Sequence, residues 1–356
     1  MKHVKPLFVA AIAGVLVAAL YVVFEYCVST SIDLVWFEWI GTEHNRLLTF
    51  AAVIALGMAF FGAKHLTDTH EKWLNKHRHY KLLTIISVGF LSLFSGATLG
   101  PEAVLIPASV LISQLFAHHH FKREIADLFG AAGIVALFVA FFNSPWAGLV
   151  GFLMARADLP KKPKPIVYLG LTCSALAAYG FLLLASNHSA FHLPSGPLLT
   201  TTSIILYLAA IIMGVGYHKI IEFTNAKVAI LEKRLPKQWY IHALVATTGL
   251  GILYLLGGYL MQFTGTETLE DLFEKSTELG VWLLLWMSLV KTAAIAWCLR
   301  TGYRGGAIFP LMFVGATLAA IALLHTDQFS PILLAVAFLV GVILSDRKTH
   351  FVSGHR

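Results

Sequence analysis

A carboxylate set between two apolar stretches is the residue with the most chemistry to explain. Glu102 lies in "SGATLGPEAVLIPASVLIS", with apolar sequence on both sides. An ionisable group at that depth is costly and points to function by default. Its neighbours matter too. Pro101 suits the first turn of a helix, and an acid beside it complements the unpaired amides of a helix N-terminus. Those amides can hold the carboxylate or an anion in its place. A second segment, "RTGYRGGAIFPLMFVGATLAA", sets Gly302, Gly305 and Gly306 before a helix with Pro310 in its first turn. Glycines there let backbone approach a ligand closely with amide donors turned inward. Arg300 and Arg304 flank this break, and either reach an interface or attract anions.

The remaining polar groups have plainer explanations. At 130–148, "GAAGIVALFVAFFNSPWAG" ends one helix and starts another, with Asn143 or Ser144 as N-cap and Pro145 as the first helical residue. Gly130, Ala131, Ala132 and Gly133 suit close helix packing. His118, His119 and His120 are adjacent, so a helix cannot aim all three at one metal. With Lys122 and Arg123 they read as an interfacial helix end. No metal and no cofactor is expected. Lys291, in "WLLLWMSLVKTAAIAW", needs a buried partner or a water-filled neighbour, or else reaches a helix end. Cys27, Cys173 and Cys298 form neither a disulfide framework nor a CxxC spacing. An intramembrane enzyme would need a second carboxylate, a metal-ligand pair or a Ser/Lys dyad near Glu102. None stands at helical spacing, so no enzyme is expected.

The elements that position these residues are membrane helices. Of 356 residues, 58% are hydrophobic and only 13% charged, with a mean hydropathy of +0.75. A soluble domain carries about 25% charged residues. Spanning runs occur near 6–28, 47–63, 165–186, 201–222, 239–263 and 280–299. Shorter runs at 82–95, 102–116, 125–141, 146–155, 307–324 and 331–345 are often bounded by Gly or Pro. Such segments read as broken helices that are buried or line a cavity. The first run has no small-residue cleavage site and is expected to remain as the first helix.

Charge then orients the chain. The net charge is +7, but its basic residues sit in short stretches at 64–81, 156–164 and 227–237, whereas 29–46 and 264–278 are acidic. This pattern argues against nucleic acid as a partner and for a multi-pass cell-membrane protein with its N-terminus cytoplasmic. Breaks at 95–102 and 301–310 each follow an apolar helix and precede a small-residue-rich one. A repeat inverted across the membrane would bring both to a shared central site. The linker 156–164 would divide a single transmembrane domain, 1–356, into halves 1–160 and 161–356.

Three segments together resemble the CLC family of chloride channels and proton-coupled anion transporters. "GATLGPEAVLIPASVLIS" resembles the family's G-x-E-G-P region and the helix after it. "AAGIVALFVAFFNSPWAGLVGFLMA" resembles the helix pair around F-N-x-P-x-A-G, and "SLVKTAAIAWCLRTGYRGGAIFPLMFVGATLAA" the stretch ending in G-x-F-x-P. The likeness covers 82–158 and 280–324 and is strongest to divergent bacterial members with G-P-E. It implies an all-α integral membrane fold, a CLC-like inverted repeat of about ten to twelve spanning, broken and re-entrant helices. It also implies a homodimer in a lipid bilayer, moving a small inorganic anion, with protons as a second cargo in some members. Glu102 aligns with the family's gating glutamate. The anion would be held at the backbone of Gly100, Pro101, Glu102 and Ala103 and of Gly306, Ala307, Ile308 and Phe309.

The departures bear on mechanism. The family's phenylalanine two residues before the proline is Ile308 here, and Phe309 is shifted by one. No G-S-G-I-P loop is recognisable; its place falls near "AKHLTDTHEKWL", where Thr67 or Thr69 is the substitute hydroxyl. Met154 and Ala155 stand where proton-coupled members carry an inner glutamate, which favours passive or weakly coupled movement. Only 46 residues follow Pro310, so the second half reads as shortened, without an inner-gate tyrosine. The expected function is passage of a small anion, chloride foremost, through a pore gated by Glu102. The alternatives are a proton-coupled chloride or fluoride antiporter, and a truncated inactive member.

Overall fold

The computed structural model describes residues 4–156, 159, 164–185, 196–197, 200–235 and 237–346. Most of the linker 156–164 lies outside them. The apolar runs become helices α1 (Val4–Ile32), α2 (Arg46–Thr69), α4 (Arg78–Phe94), α5 (Glu102–His118), α7 (Phe129–Phe142), α8 (Ala147–Ala155), α9 (Pro165–Ala185), α10 (Thr201–Glu232), α11 (Trp239–Gly257), α13 (Ser276–Thr301), α14 (Ile308–Leu323) and α15 (Pro331–Ser345). Three short helices add to them: α3 (Glu71–Lys76), α6 (Arg123–Ala126) and α12 (Leu269–Glu274). Among the described residues, six helices are long and apolar enough to cross a membrane. Only 22% of the most apolar stretch of α10 is buried. Its outward side chains, Ile212 among them, suit lipid rather than water.

Three local features were not read from the pattern. Residues Asp33–Ile40 prolong α1 as a π-helix that stops at Gly41 with φ of 64°. The run 239–263 breaks at Gly258, where φ is 78°, and goes on as the 3-10 turn Tyr259–Met261. Asn143, one of two N-cap candidates with Ser144, instead closes α7 in the left-handed region with φ of 45°, and α8 starts at Ala147. An asparagine tolerates that conformation, so one polar residue served either helix end.

The chain forms two compact units. The first comprises Met1–Thr30, His70–Ser87 and Val104–Ala190. Here α7 packs on α8 and α9. Its small residues stand where larger ones would not fit: a Cβ on Gly133 would meet the Ser109 carbonyl, and one on Gly151 the backbone of Val135. Ser174 Oγ also donates to the Ala132 carbonyl at 3.0 Å. Close backbone approach of this kind is how helices associate in lipid.

The second unit comprises Ser31–Thr69, Val88–Ala103 and Phe191–Arg356. α11 packs on α2 and α13, α13 on α14, and α10 on α15. At the last pair, Gly214 faces the Phe338 carbonyl and Gly341 faces that of Ile211. α10 starts at a capping box in which Ser203 N donates to Thr200 Oγ1 at 3.0 Å and Thr200 N to Ser203 Oγ at 2.7 Å. This unit contains both helix breaks.

Candidate functional site

The first break begins where α4 ends. The buried Trp36 indole donates to the last carbonyl of that helix, Phe94, at 2.8 Å. Gly96 follows with φ of 96°. The second break begins at Gly302, a left-handed cap on α13, and is tied back by Arg304 N donating to Ser92 Oγ at 2.8 Å. The two breaks then pair. Gly100 N donates to Gly306 O and Gly306 N to Gly100 O, both at 2.8 Å. This bridge is the one place where described segments meet as strands do.

Immediately after the bridge, each segment turns into a helix, α5 at Glu102 and α14 at Ile308. The Glu102 side chain, 2% exposed, bends back so that Oε1 accepts from Ile308 N at 2.5 Å. The amides of Phe309 and of Glu102 itself also point at the carboxylate. Its second oxygen, Oε2, is buried with no hydrogen-bond partner among the described residues. Two helix N-termini therefore converge on one negative group, which is where their dipoles and free N–H groups favour it. The glycines leave room for it. A Cβ added to Gly100 or to Gly306 would in each case strike Glu102's own side chain first.

The other residues singled out in the sequence divide into groups. Glu102, Ile308 and Phe309 make the cage. Ala307, fully buried, precedes α14 as its N-cap. Ala103 lies in the first turn of α5. The amides of Gly100 and Gly306 are spent on each other, so they shape the site without donating into it. Pro101 has no N–H to offer. Thr67 Oγ1 donates to Lys64 O at 2.8 Å and Thr69 Oγ1 to Leu66 O at 2.7 Å, which ties both hydroxyls to their own helix. Arg300 Nε bonds Asn225 Oδ1 at 2.7 Å and its Nη1 lies 3.4 Å from Glu232, so it belongs to a polar contact between helices.

Of the residues that hold the site, Tyr254 and Phe263 carry no signal in the sequence, whereas Lys291 does. The Tyr254 hydroxyl donates to Gly96 O, and accepts from Thr98 Oγ1 at 3.1 Å and Phe263 N at 2.9 Å. Phe263 sits at φ of 51°, and its carbonyl accepts from Lys291 Nζ at 2.7 Å. Lys291 also donates to Met261 O at 2.9 Å and lies over the Phe313 ring of α14 at 4.8 Å. The partner that this lysine needed is thus a turn of backbone carbonyls. A continuous set of bonds runs from Lys291 through Phe263 and Tyr254 to the loop that ends in Gly100 and Glu102. Tyr303, within the second break, is buried and stacked on Phe60, with a hydroxyl that lacks a partner among the described residues.

Apolar spanning helices, two of them broken, with amides turned onto a buried acid, define an integral membrane protein built around discontinuous helices. The chain belongs to the voltage-gated chloride channel (CLC) family, whose pattern it matches over residues 62–344. It is similar to YfeO of Salmonella typhimurium, a protein named for ion transport, with 24% identity over 269 residues; this is 71% of the chain and 62% of the relative. YfeO of Salmonella dublin matches to the same extent. The chain thus spans less than two thirds of the length of these relatives. Solved structures share its fold. A slow cyanobacterial Cl⁻/H⁺ antiporter superposes with a TM-score of 0.72 at 16% identity, covering 96% of this chain and 94% of the other. A CLC-type fluoride/proton antiporter gives 0.69 at 16% identity, covering 95% and 86%. A eukaryotic CLC transporter gives 0.66 at 15% identity, covering 98% and 68%.

Proposed function

We propose that the chain carries a small inorganic anion, chloride foremost, across the cell membrane through a pathway gated by Glu102. The observation that carries this reading is the amide cage around the Glu102 carboxylate, formed where α5 and α14 begin. A site that stabilises a carboxylate with N–H donors will stabilise a halide by the same means. The two anions exclude one another, because one cage cannot hold both charges. Protonation settles the competition. A neutral carboxyl gives up the charge that the amides favour and adds an O–H donor to a site already made of donors. Lower pH therefore releases the gate and admits the anion.

The experiment is chloride efflux from liposomes containing the purified protein, with proton movement recorded together, for the wild type and Glu102→Gln. Efflux in the variant should be high and independent of pH, since the amide is uncharged at every pH. An unchanged pH dependence would remove Glu102 from gating.

A second reading, proton-coupled exchange of chloride or fluoride, is favoured by the activity for which two structural neighbours are named. Against it stand Met154 and Ala155, neither of which carries a proton. Proton flux tightly linked to anion flux would decide for exchange. The working form is proposed to be a homodimer with the N-terminus cytoplasmic, on the family resemblance and on the charges of the loops.

A further inference from the structure

In the first unit, α3, the start of α4 and the end of α5 surround an open groove of about 650 Å³. Its charged and imidazole lining is Lys76, His77, Arg78 and His79 from one segment, with His118 and His119 from another. Among the described residues, no carboxylate lines it. Arg78 Nη1 lies 2.8 Å from His118 Nε2 and donates to that ring nitrogen. Asp127 Oδ1 is 3.6 Å from the same Nε2. A nitrogen already accepting from Arg78 has no proton to give that acid, so the shorter contact decides the arrangement. Among the described residues neither Lys76 nor Arg78 forms an ion pair.

The rim of the groove changes character. Trp73 stacks on His77 at 4.4 Å and lies 5.2 Å from Tyr80. Trp73, Tyr80 and, one turn further along α4, Leu83 are all exposed. Aromatic rings beside cations, giving way to bare leucine, are the composition of a membrane–water boundary. Lys5 Nζ donates to the His120 carbonyl at 3.3 Å, which sets the start of α1 at the same level.

We infer that this groove binds the phosphodiester headgroup of an anionic phospholipid, with its acyl chains running along the apolar face that begins at Leu83. Arg78 offers forked N–H donors to phosphate oxygens, Lys76 a mobile charge, and the imidazoles further N–H donors. A zwitterionic headgroup would also need an acid for its ammonium, and no carboxylate of the described residues lines the groove. Free phosphate shares this chemistry. The exposed rings and leucine beside the cations favour the lipid. The inference does not depend on which ion the pathway carries.

The test compares thermal unfolding of the purified full chain in detergent with added phosphatidylglycerol, phosphatidylcholine or inorganic phosphate. Phosphatidylglycerol alone should stabilise the wild type, and Lys76→Gln with Arg78→Gln should abolish the preference. Two charges at about 1 kcal/mol each correspond to roughly a thirtyfold loss of affinity. Equal preference in the double variant, or equal stabilisation by inorganic phosphate, would overturn the lipid assignment. A photoactivatable phosphatidylglycerol on the wild type covers the case in which the variant does not fold. Its label should map to 75–80 and 115–119, and labelling confined to other segments would sink the proposal.

Discussion

At Glu102, burial alone would disfavour a charge, and the surrounding donors offset that. An ionised carboxylate without partners costs several kcal/mol to bury, yet here one oxygen is amide-bonded and two helix N-termini face it. The same geometry gives Gly306 a role that its lack of donors to the cage would not reveal. The atoms that a Cβ at Gly306 would meet are Cγ, Cδ and Oε1 of Glu102, the far end of a side chain that can rotate away. Gly306→Ala should therefore fold and push the carboxylate out of its cage. Chloride efflux should become less sensitive to pH, approaching the behaviour of Glu102→Gln. Gly100→Ala strikes the same carboxylate. The double substitution should then add little to either single one, since both remove a single state. Efflux measured between pH 5 and 8 on proteins that elute as monodisperse peaks would check this (a range set around neutral pH as of order the physiological one). A full wild-type pH response in Gly306→Ala would mean that the carboxylate is not held where these glycines meet.

Among the elements, the broken helices need something to hold their loops, because their backbone groups lack helical partners. Tyr254 on α11 and Lys291 on α13 supply it through Phe263. Tyr254→Phe would leave Gly96 O and Phe263 N buried without the hydroxyl, at about 1–3 kcal/mol for each group stranded. Lys291→Met would strand the carbonyls of Met261 and Phe263, although it also removes a buried charge. The effects of the two should not add. Both act through one turn, so a double-mutant cycle of thermal unfolding should return a coupling of about 0.5–3 kcal/mol. Additivity within error would mean that the turn does not connect them. This network also marks the limit of what the sequence discloses. The helices themselves were legible, because apolar runs bounded by Gly and Pro leave few options in a membrane chain. The amide cage was legible in part, since G-P-E and G-G-A-I-F-P announce helix starts that suit an anion. Tyr254 carried no such signal. Its partner Gly96 is 158 residues away, and nothing local distinguishes it from any other tyrosine in an apolar run. Lys291 was conspicuous, but its acceptors are backbone carbonyls, which every residue has. The π-helix at Asp33–Ile40 was hidden because apolar content does not separate helix types.

For the whole molecule, charge and crossing number have to agree, and the six helices long enough to span are the ones to set against the charged stretches. α1 runs from the N-terminus to the acidic stretch 29–46, and α2 returns to the basic stretch 64–81. α9 and α10 lead out and back between the basic stretches 156–164 and 227–237. α11 then reaches the acidic stretch 264–278, and α13 comes back from it to Arg300 and Arg304. The proposed positive-inside orientation requires each of these basic stretches to lie on one side and each acidic stretch on the other. Lys233 and Glu270 are separated by α11, whose 19 residues extend about 28 Å at 1.5 Å per residue, close to the hydrocarbon thickness. In a background with Cys27, Cys173 and Cys298 replaced by Ala, Glu270→Cys should react with a membrane-impermeant maleimide on intact cells. Lys233→Cys should react only after the cells are opened. The reverse pattern would put the basic stretches outside and invert the proposed orientation. Labelling of both on intact cells would mean that α11 does not cross at all, and the assignment of spans would have to be redrawn around that helix.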